Sequence, residues 1–315
     1  IMKITQIKVN GIHEPAGFAP GDPDCAWKVT ETESRKAVSS RLELFREGEA
    51  EAIAVREGAE LDFTGETLDV ALEPRTGYTV RISVNGDAGD SACAESSFET
   101  GKMDEPWEAE WIAAEKGDTC HPFMKKSFTV KPGLKKARLY ATGVGMFEAY
   151  INDQKLGEEY LMPGVTDYEK RIQVVTFPVD GLREGENELG FLLGKGWFMG
   201  TFGLEMKDNY YGSRMAAIGE LHLEYEDGTE DVVCTDGAFE YTASDITESG
   251  IYFGETIERK TSEAEWKPVA VVTEYSKEEG TWNLAKEHLT DRLSPALKVK
   301  EIIPAKEVIT TPAGE

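Results

Sequence analysis

The chain has 315 residues, 40% of them apolar and 10% aromatic, which is enough for two or three domains with proper cores and excludes a disordered polypeptide. A formal net charge of −25, with 59 acidic residues, argues against phosphate-backbone and anionic-membrane partners and fits a neutral ligand or simply solubility. No run approaches the roughly 20 apolar residues of a membrane span, and Ile1-Met2-Lys3-Ile4 has no leader character, so a cytoplasmic location is expected, with neither nucleic acid nor membrane as partner.

Residues 1–102 read as short strands separated by turns. Tyr78, Val80, Ile82 and Val84 alternate with polar neighbours, the period of two expected of a half-buried strand. Asn85-Gly86 then supplies a turn. Leu72, Pro74 and Tyr78, with Trp27 upstream and Ser97-Phe98-Glu99-Thr100-Gly101 at the end, resemble a fibronectin type III domain. That resemblance implies a β-sandwich with Trp27 and Tyr78 in its core, and it concerns fold rather than activity.

Residues 103–122 read as a linker that opens on the polar, proline-bearing Met103-Asp104-Glu105-Pro106. Trp107 and Trp111 follow, and the preferred reading is that they anchor the chain where two domains meet rather than bind a ligand. From residue 123 to about 280 the β pattern resumes. Lys126–Val130, Ala137–Ala141, Met146–Ile151, Ile172–Phe177, Asn187–Leu193, Leu221–Tyr225 and Asp231–Thr235 read as strands, and Glu226-Asp227-Gly228-Thr229 as a hairpin turn. The spacing suggests a larger sandwich or jelly roll, with His222 on its polar face.

Within this region, Gly194–Gly203 packs four glycines and three aromatic residues into ten positions, followed closely by Asp208-Asn209-Tyr210-Tyr211-Gly212. So many glycines argue against a stable helix or strand, and the rings argue against a flexible linker. Two readings stay open: a buried loop that plugs the sandwich end, or a rim that stacks a sugar on Trp197 or a tyrosine. A dinucleotide fingerprint is excluded, because the third glycine is misplaced and Trp197-Phe198-Met199 is too bulky to approach a pyrophosphate. Gly143-Val144-Gly145 runs into a strand and cradles no phosphate either.

Gly145–Asn152, Pro163–Arg171, Gly196–Gly200, Asn209–Arg214 and Ile251–Thr256 resemble, in order and spacing, the N-terminal β-domain of bacterial α-L-rhamnosidases. Asn152-Asp153 departs from the usual Asn-Gly turn. The resemblance implies an all-β chain: a fibronectin type III-like sandwich (1–102), a linker (103–122), the rhamnosidase β-domain (123–280), and an extension (281–315) leading into further domains absent from this sequence. It also implies a rhamnose-containing glycoside as partner and an inverting hydrolase as parent, with the catalytic carboxylates on an (α/α)6 barrel that this chain lacks. Catalytic residues are therefore expected to be none. The candidates for sugar contact are Asp167, Trp197, Asn209, Tyr210 and Tyr211, and calcium is the candidate cofactor, on Asp167 and Asn209. The alternative is an autonomous calcium-assisted carbohydrate-binding module.

The remaining motifs are bland. Cys25, Cys93, Cys120 and Cys234 show no C-x-x-C spacing, and His13, His121, His222 and His288 show no i, i+4 pair, so neither a zinc nor a redox site is indicated. Glu255 is expected to orient or support rather than transfer a proton. Trp282, Ala285 and Leu289 share one helical face, predicting a short helix over Thr281–Asp291, and Leu297–Ile309 reads as one or two strands.

Overall fold

The computed structural model describes residues 1–272 and 284–312, and nearly all of its regular structure is β. In the first unit, Asp24–Thr30 lies between Lys3–Val9 and Glu66–Thr67. A second sheet runs Ala16–Phe18, Ser91–Thr100, Gly77–Gly86, Ala37–Arg46, Ala52–Gly58. Alternation builds the core: Tyr78, Val80, Ile82 and Val84 are buried on one face of Gly77–Gly86, against Trp27, Leu42, Leu44 and Phe98. Tyr78 stacks on Phe98, with centroids 5.2 Å apart, and its hydroxyl accepts the Glu73 N–H at 2.7 Å. The reversal falls later than Asn85-Gly86. Gly86 stays in the strand, and the chain turns over residues 87–90, where Gly89 takes a φ of +85°.

The larger unit also has two principal sheets. One runs Gln154–Lys155, Met146–Ile151, Gly185–Gly194, Pro122–Val130, Glu240–Ala243, Lys267–Pro268. The other runs Ala270–Val272, Trp111–Ala113, Ala216–Tyr225, Leu134–Val144, Ile172–Pro178, Leu289–Asp291, with Glu230–Cys234 also paired to Ala216–Tyr225. Met124, Phe147, Phe177, Phe191, Leu221 and Phe239 fill the space between them. Asn152 and Asp153 both take positive φ, +49° and +62°, so the Asn-Asp pair forms the primed hairpin geometry usually given to Asn-Gly.

Four further expectations need correction. Trp111–Ala113, inside the expected linker, is a buried strand of the larger sandwich, because Ile112 and Ala113 continue its apolar interior. In the tail, the described part of Thr281–Asp291 holds only a 3₁₀ turn, Lys286–His288, and then Leu289–Asp291, which pairs in parallel with Ile172–Val174. Thr281 and Trp282 lie outside the described residues. Leu297–Ile309 forms no strand and is largely exposed; the Leu297 carbonyl accepts the Tyr160 N–H at 2.9 Å.

The fourth is His222, which is 7% exposed rather than on a polar face. Ala216–Tyr225 is covered on both sides, because the segment leaving the first sandwich lies across its outer face. There Lys102 (3% exposed) pairs with Glu220 (1% exposed), and Glu220 also accepts the N–H groups of Glu108 and Ala109 at 2.6 and 3.0 Å. His222 bridges Glu220 at 3.3 Å and Glu230 at 2.7 Å, and Arg75 of the first sandwich holds Glu230 and Glu105 at 2.6 and 2.7 Å. Nearby, Arg138 grips Glu99 with both Nε and Nη2, at 2.9 and 3.0 Å. The two sandwiches thus meet along an ionic seam.

Asp291 closes the same seam from the tail, accepting the Lys102 and Met103 N–H groups at 3.0 and 2.6 Å. The fit is close enough that a Cβ at Gly101 would overlap its carboxylate. Burial is the largest influence on Asp291; it outweighs those hydrogen bonds and the Lys102 charge and pushes the carboxyl up to about 6. A raised acid holds its proton longer in the folded state. Its contribution to stability is therefore complete below its ordinary value of 3.8 and is lost as pH rises through about 6. The loss amounts to up to about 3 kcal/mol. In urea melts at several pH values, Asp291→Asn is expected to flatten this slope. An unchanged slope would place the titration elsewhere.

Candidate functional site

The glycine-aromatic stretch leaves the strand Gly185–Gly194 and makes one helical turn, Gly196–Met199. The glycine content did not prevent it, since a single turn is set by tertiary contacts rather than propensity. Gly196 has a φ of +51°, and a Cβ there would press within 2.8 Å of Met146, so this corner requires glycine. The second stretch is clipped onto the turn: Asn209 N–H donates to the Met199 carbonyl at 2.9 Å, and the Tyr211 and Gly212 N–H groups donate to the Phe198 carbonyl at 3.2 and 3.3 Å.

A chain of rings leads outward from this turn. Phe198, fully buried, meets Tyr168 edge-on at 5.4 Å; Tyr168 meets Tyr211 at 5.0 Å, and Tyr211 meets Tyr210 at 4.8 Å. Tyr210 is 50% exposed, between Phe202 and the Lys207 ammonium. Plug and rim are therefore two ends of one stack. Trp197 is half-buried against the same cluster, so it belongs more to the plug than to an open platform.

Asp167 reaches the outer end of this stack. Its charge acts on Tyr211, whose phenol is pushed up, first by burial and then by Asp167. The carboxylate pairs with Lys170 at 2.9 Å and accepts the Glu169 N–H at 3.2 Å, while its backbone carbonyl closes a turn with the Lys170 and Arg171 N–H groups. The Lys170 hydrogen bond holds Asp167 below the usual carboxylate range. Asn209 takes a left-handed φ of +53° and lines a cleft of ≈ 550 Å³.

That cleft lies between the glycine-aromatic loop and the hairpin Ile246–Gly250/Gly254–Ile257. Phe253, 72% exposed, borders it. Glu248 is paired with Lys195 at 2.7 Å, a hydrogen bond that lowers its pKa, and Asp208 accepts the Thr201 hydroxyl. At its base Ser249 Oγ lies 2.8 Å from Nε2 of the buried His121 and accepts the Lys195 N–H at 3.1 Å. Burial, then the Lys195 charge, lowers the His121 pKa. Sequence reasoning missed Lys195, Glu248 and Phe253; the signal was Tyr252-Phe253 set between Gly250 and Gly254, an exposed aromatic turn. Glu255 is exposed on the same hairpin.

Calcium takes about six to eight hard oxygens. Asp167 is paired with Lys170, and it does not line the cleft that Asn209 borders. Among the described residues, no group of three or more His, Cys, Asp or Glu is placed to hold a metal ion. The donor set does not fit calcium. What the geometry offers is rings and engaged polar groups, which suit recognition of a neutral ligand better than proton transfer.

Two mainly antiparallel β-sandwiches, locked by a buried ionic seam and carrying an aromatic loop, define a tandem β-sandwich protein. Its residues 133–301 match the alpha-L-rhamnosidase N-terminal domain, and residues 4–104 match the Rha78A-like N-terminal immunoglobulin domain. The chain belongs to the alpha-L-rhamnosidase N-terminal domain family.

An alpha-L-rhamnosidase of Streptomyces avermitilis is 30% identical over 183 residues, covering 58% of this chain and 18% of that protein. One from an Alteromonas species is 24% identical over 335 residues, covering 97% of this chain and 35% of its own length. The solved native alpha-L-rhamnosidase of Aspergillus terreus superposes with a TM-score of 0.78 at 25% identity, over 92% of this chain and 35% of that one. The chain thus spans about a third or less of these relatives. Among the described residues, no helix is long and apolar enough to cross a membrane.

Proposed function

We propose that this chain is the non-catalytic N-terminal part of an α-L-rhamnosidase, whose whole protein hydrolyses terminal α-L-rhamnose from glycosides with inversion. One observation carries the reading: nearly the whole chain aligns with a relative of that name, yet over only 35% of the relative's length. Inverting hydrolysis needs an acid and a base carboxyl about 6.5–9.5 Å apart across the scissile bond. In the proposal these lie in C-terminal domains that complete the protein, and the ionic seam holds the two sandwiches as one platform for them. The proposed division of the chain is 1–102, 103–122, 123–280 and 281–315, with Trp111–Ala113 counted toward the larger sandwich. A cytoplasmic setting is part of the proposal, supported by four free cysteines.

The test is hydrolysis of an aryl α-L-rhamnoside. The 315-residue chain alone is expected to release no rhamnose, and the protein extended to the length of its relatives is expected to release it. Release by the chain alone overturns the division of labour. Inactivity of the extended protein overturns the enzyme assignment.

A second reading, an autonomous carbohydrate-binding module, rests on the exposed end of the ring stack. Tyr210 and Tyr211, with Asp167 beside them, would meet the sugar, while Trp197 would support the loop from beneath and Asn209 would border the adjoining cleft. Titration with rhamnose, with and without calcium, separates the readings. The donor set implies that any saturable binding here is independent of calcium.

A further inference from the structure

The outer face of the six-stranded sheet carries rings and clefts of its own, one of which adjoins the loop cleft through Ser249, Gly250 and Gly254. Register places Thr242, Phe123, Leu192 and Glu148 side by side in one row across four strands. The next row on the same face is Glu240, Lys125, Gly190 and Tyr150. The intervening residues, among them Met124, Phe147, Phe191 and Tyr241, face the core.

Gly190 leaves a gap in the second row, and the Phe123 ring lies across it: a Cβ at Gly190 would sit 2.9 Å from Phe123 Cζ. In that position Phe123 meets Tyr150 edge-on at 5.6 Å and Trp266 at 6.4 Å. Lys125 lies over the Trp266 ring at 4.5 Å. The sheet thus carries three neighbouring half-buried rings outside its core.

Two clefts run along these rows and share Leu192, Ser244 and Asp245. Their volumes are ≈ 620 and ≈ 710 Å³, each within the roughly 300–1,000 Å³ of small-ligand sites. The larger cleft has Tyr160 and Leu161 at its edge, both substantially exposed, and contains Glu148, Glu159, Asp245 and Glu255; Lys155 pairs with Glu148 and Arg292 with Glu159, while the smaller cleft sets Asp118, Asp153, Asp245, Glu263 and Glu265 against Lys260 and Lys267, so carboxylates outnumber cations in both. Carboxylates accept hydrogen bonds only, so they pair with hydroxyl groups and repel other anions. Rings cover the C–H faces of a pyranose, and carboxylates take its hydroxyls.

The geometry points to a groove for an uncharged oligosaccharide chain on the outer face of this sheet, centred on Leu192, which discriminates against uronate-bearing and sulfated glycans. This goes beyond the function proposed above: that reading concerns a terminal rhamnose on the exposed tyrosines of the loop, whereas the groove would hold the polymer along the sheet face.

The test is a glycan array of neutral, uronate-bearing and sulfated oligosaccharides, probed with the 315-residue chain, with Leu192→Arg and with Tyr210→Ala. Leu192 faces outward where the clefts meet, so arginine obstructs the groove without entering the core. Melting curves identify any loss of fold, and Thr242→Arg in the same row serves as a second obstruction. The expected result is signal confined to neutral chains, reduced roughly tenfold by either arginine and unchanged by Tyr210→Ala. No signal, signal on anionic chains, or signal lost only in Tyr210→Ala overturns the groove. The last outcome leaves the loop-end reading intact.

Discussion

Lys102→Met is expected to destabilise the protein by about 3–5 kcal/mol, because it leaves the Glu220 carboxylate buried without its cation. The two side chains are among the least exposed charged groups in the chain. Burial alone would raise the Glu220 pKa, but hydrogen bonds from His222, Lys102 and the Ala109 N–H, together with the Lys102 charge, bring it down to about 2. An acid lowered in this way stabilises the fold above its ordinary value of 4.5, and that contribution is lost as pH falls toward about 2. Removing the ammonium also removes a contact 4.9 Å above the Trp107 ring and a donor to the Pro106 carbonyl.

Urea melts followed by fluorescence should show the loss. Because Lys102 belongs to the segment joining the sandwiches, the melt is also expected to broaden or split as the two units uncouple. The double variant Lys102→Met/Glu220→Gln should recover part of the loss, since the amide keeps an acceptor for the Glu108 and Ala109 N–H groups without a charge. The exposed pair Arg41–Glu57 provides the contrast: Arg41→Met should leave the melt nearly unchanged. Equal effects at the two pairs would mean that the seam does not organise the fold.

That seam was not legible in the sequence, and the reason is geometric. Glu220 and His222 alternate with Leu221 and Leu223 as on any half-solvated strand, and only the segment 102–110 laid across them turns the polar face into a buried one. The tail strand Leu289–Asp291 was hidden for a related reason. Three residues carry no periodicity, and the partner lies more than a hundred residues upstream. By contrast, Tyr78–Val84 and Met146–Ile151 could be read directly, because alternation and a nearby turn are local signals.

The candidate site divides the same way. Local density of glycine and rings marked 194–212 as special, but could not say which ring faces inward. The outer-face groove was invisible because Phe123, Tyr150 and Trp266 come from distant segments and are joined only by strand register and the gap at Gly190.

Phe198→Ala is the second large expectation, and it decides how the two ends of the ring stack depend on each other. Phe198 is fully buried among Trp111, Val144, Tyr168 and Ile172, so truncation should cost about 3–5 kcal/mol through lost burial and the cavity left behind. Tyr210→Ala removes a half-exposed ring from the other end and should change stability far less.

The Phe198 carbonyl holds the Tyr211 and Gly212 N–H groups, and its ring braces Tyr168, on which Tyr211 rests. Loosening the turn should therefore release those two amides to solvent as well as lower the melting temperature. Hydrogen exchange at Tyr211 and Gly212 measures the first effect and thermal melts the second. A loss below about 1 kcal/mol would put Phe198 outside the packed core. A full loss with unchanged amide protection would mean that the tyrosine stretch is held by something other than this turn. If both effects appear together, the exposed tyrosines owe their position to the buried phenylalanine, and any sugar they meet is met by a surface made rigid from within.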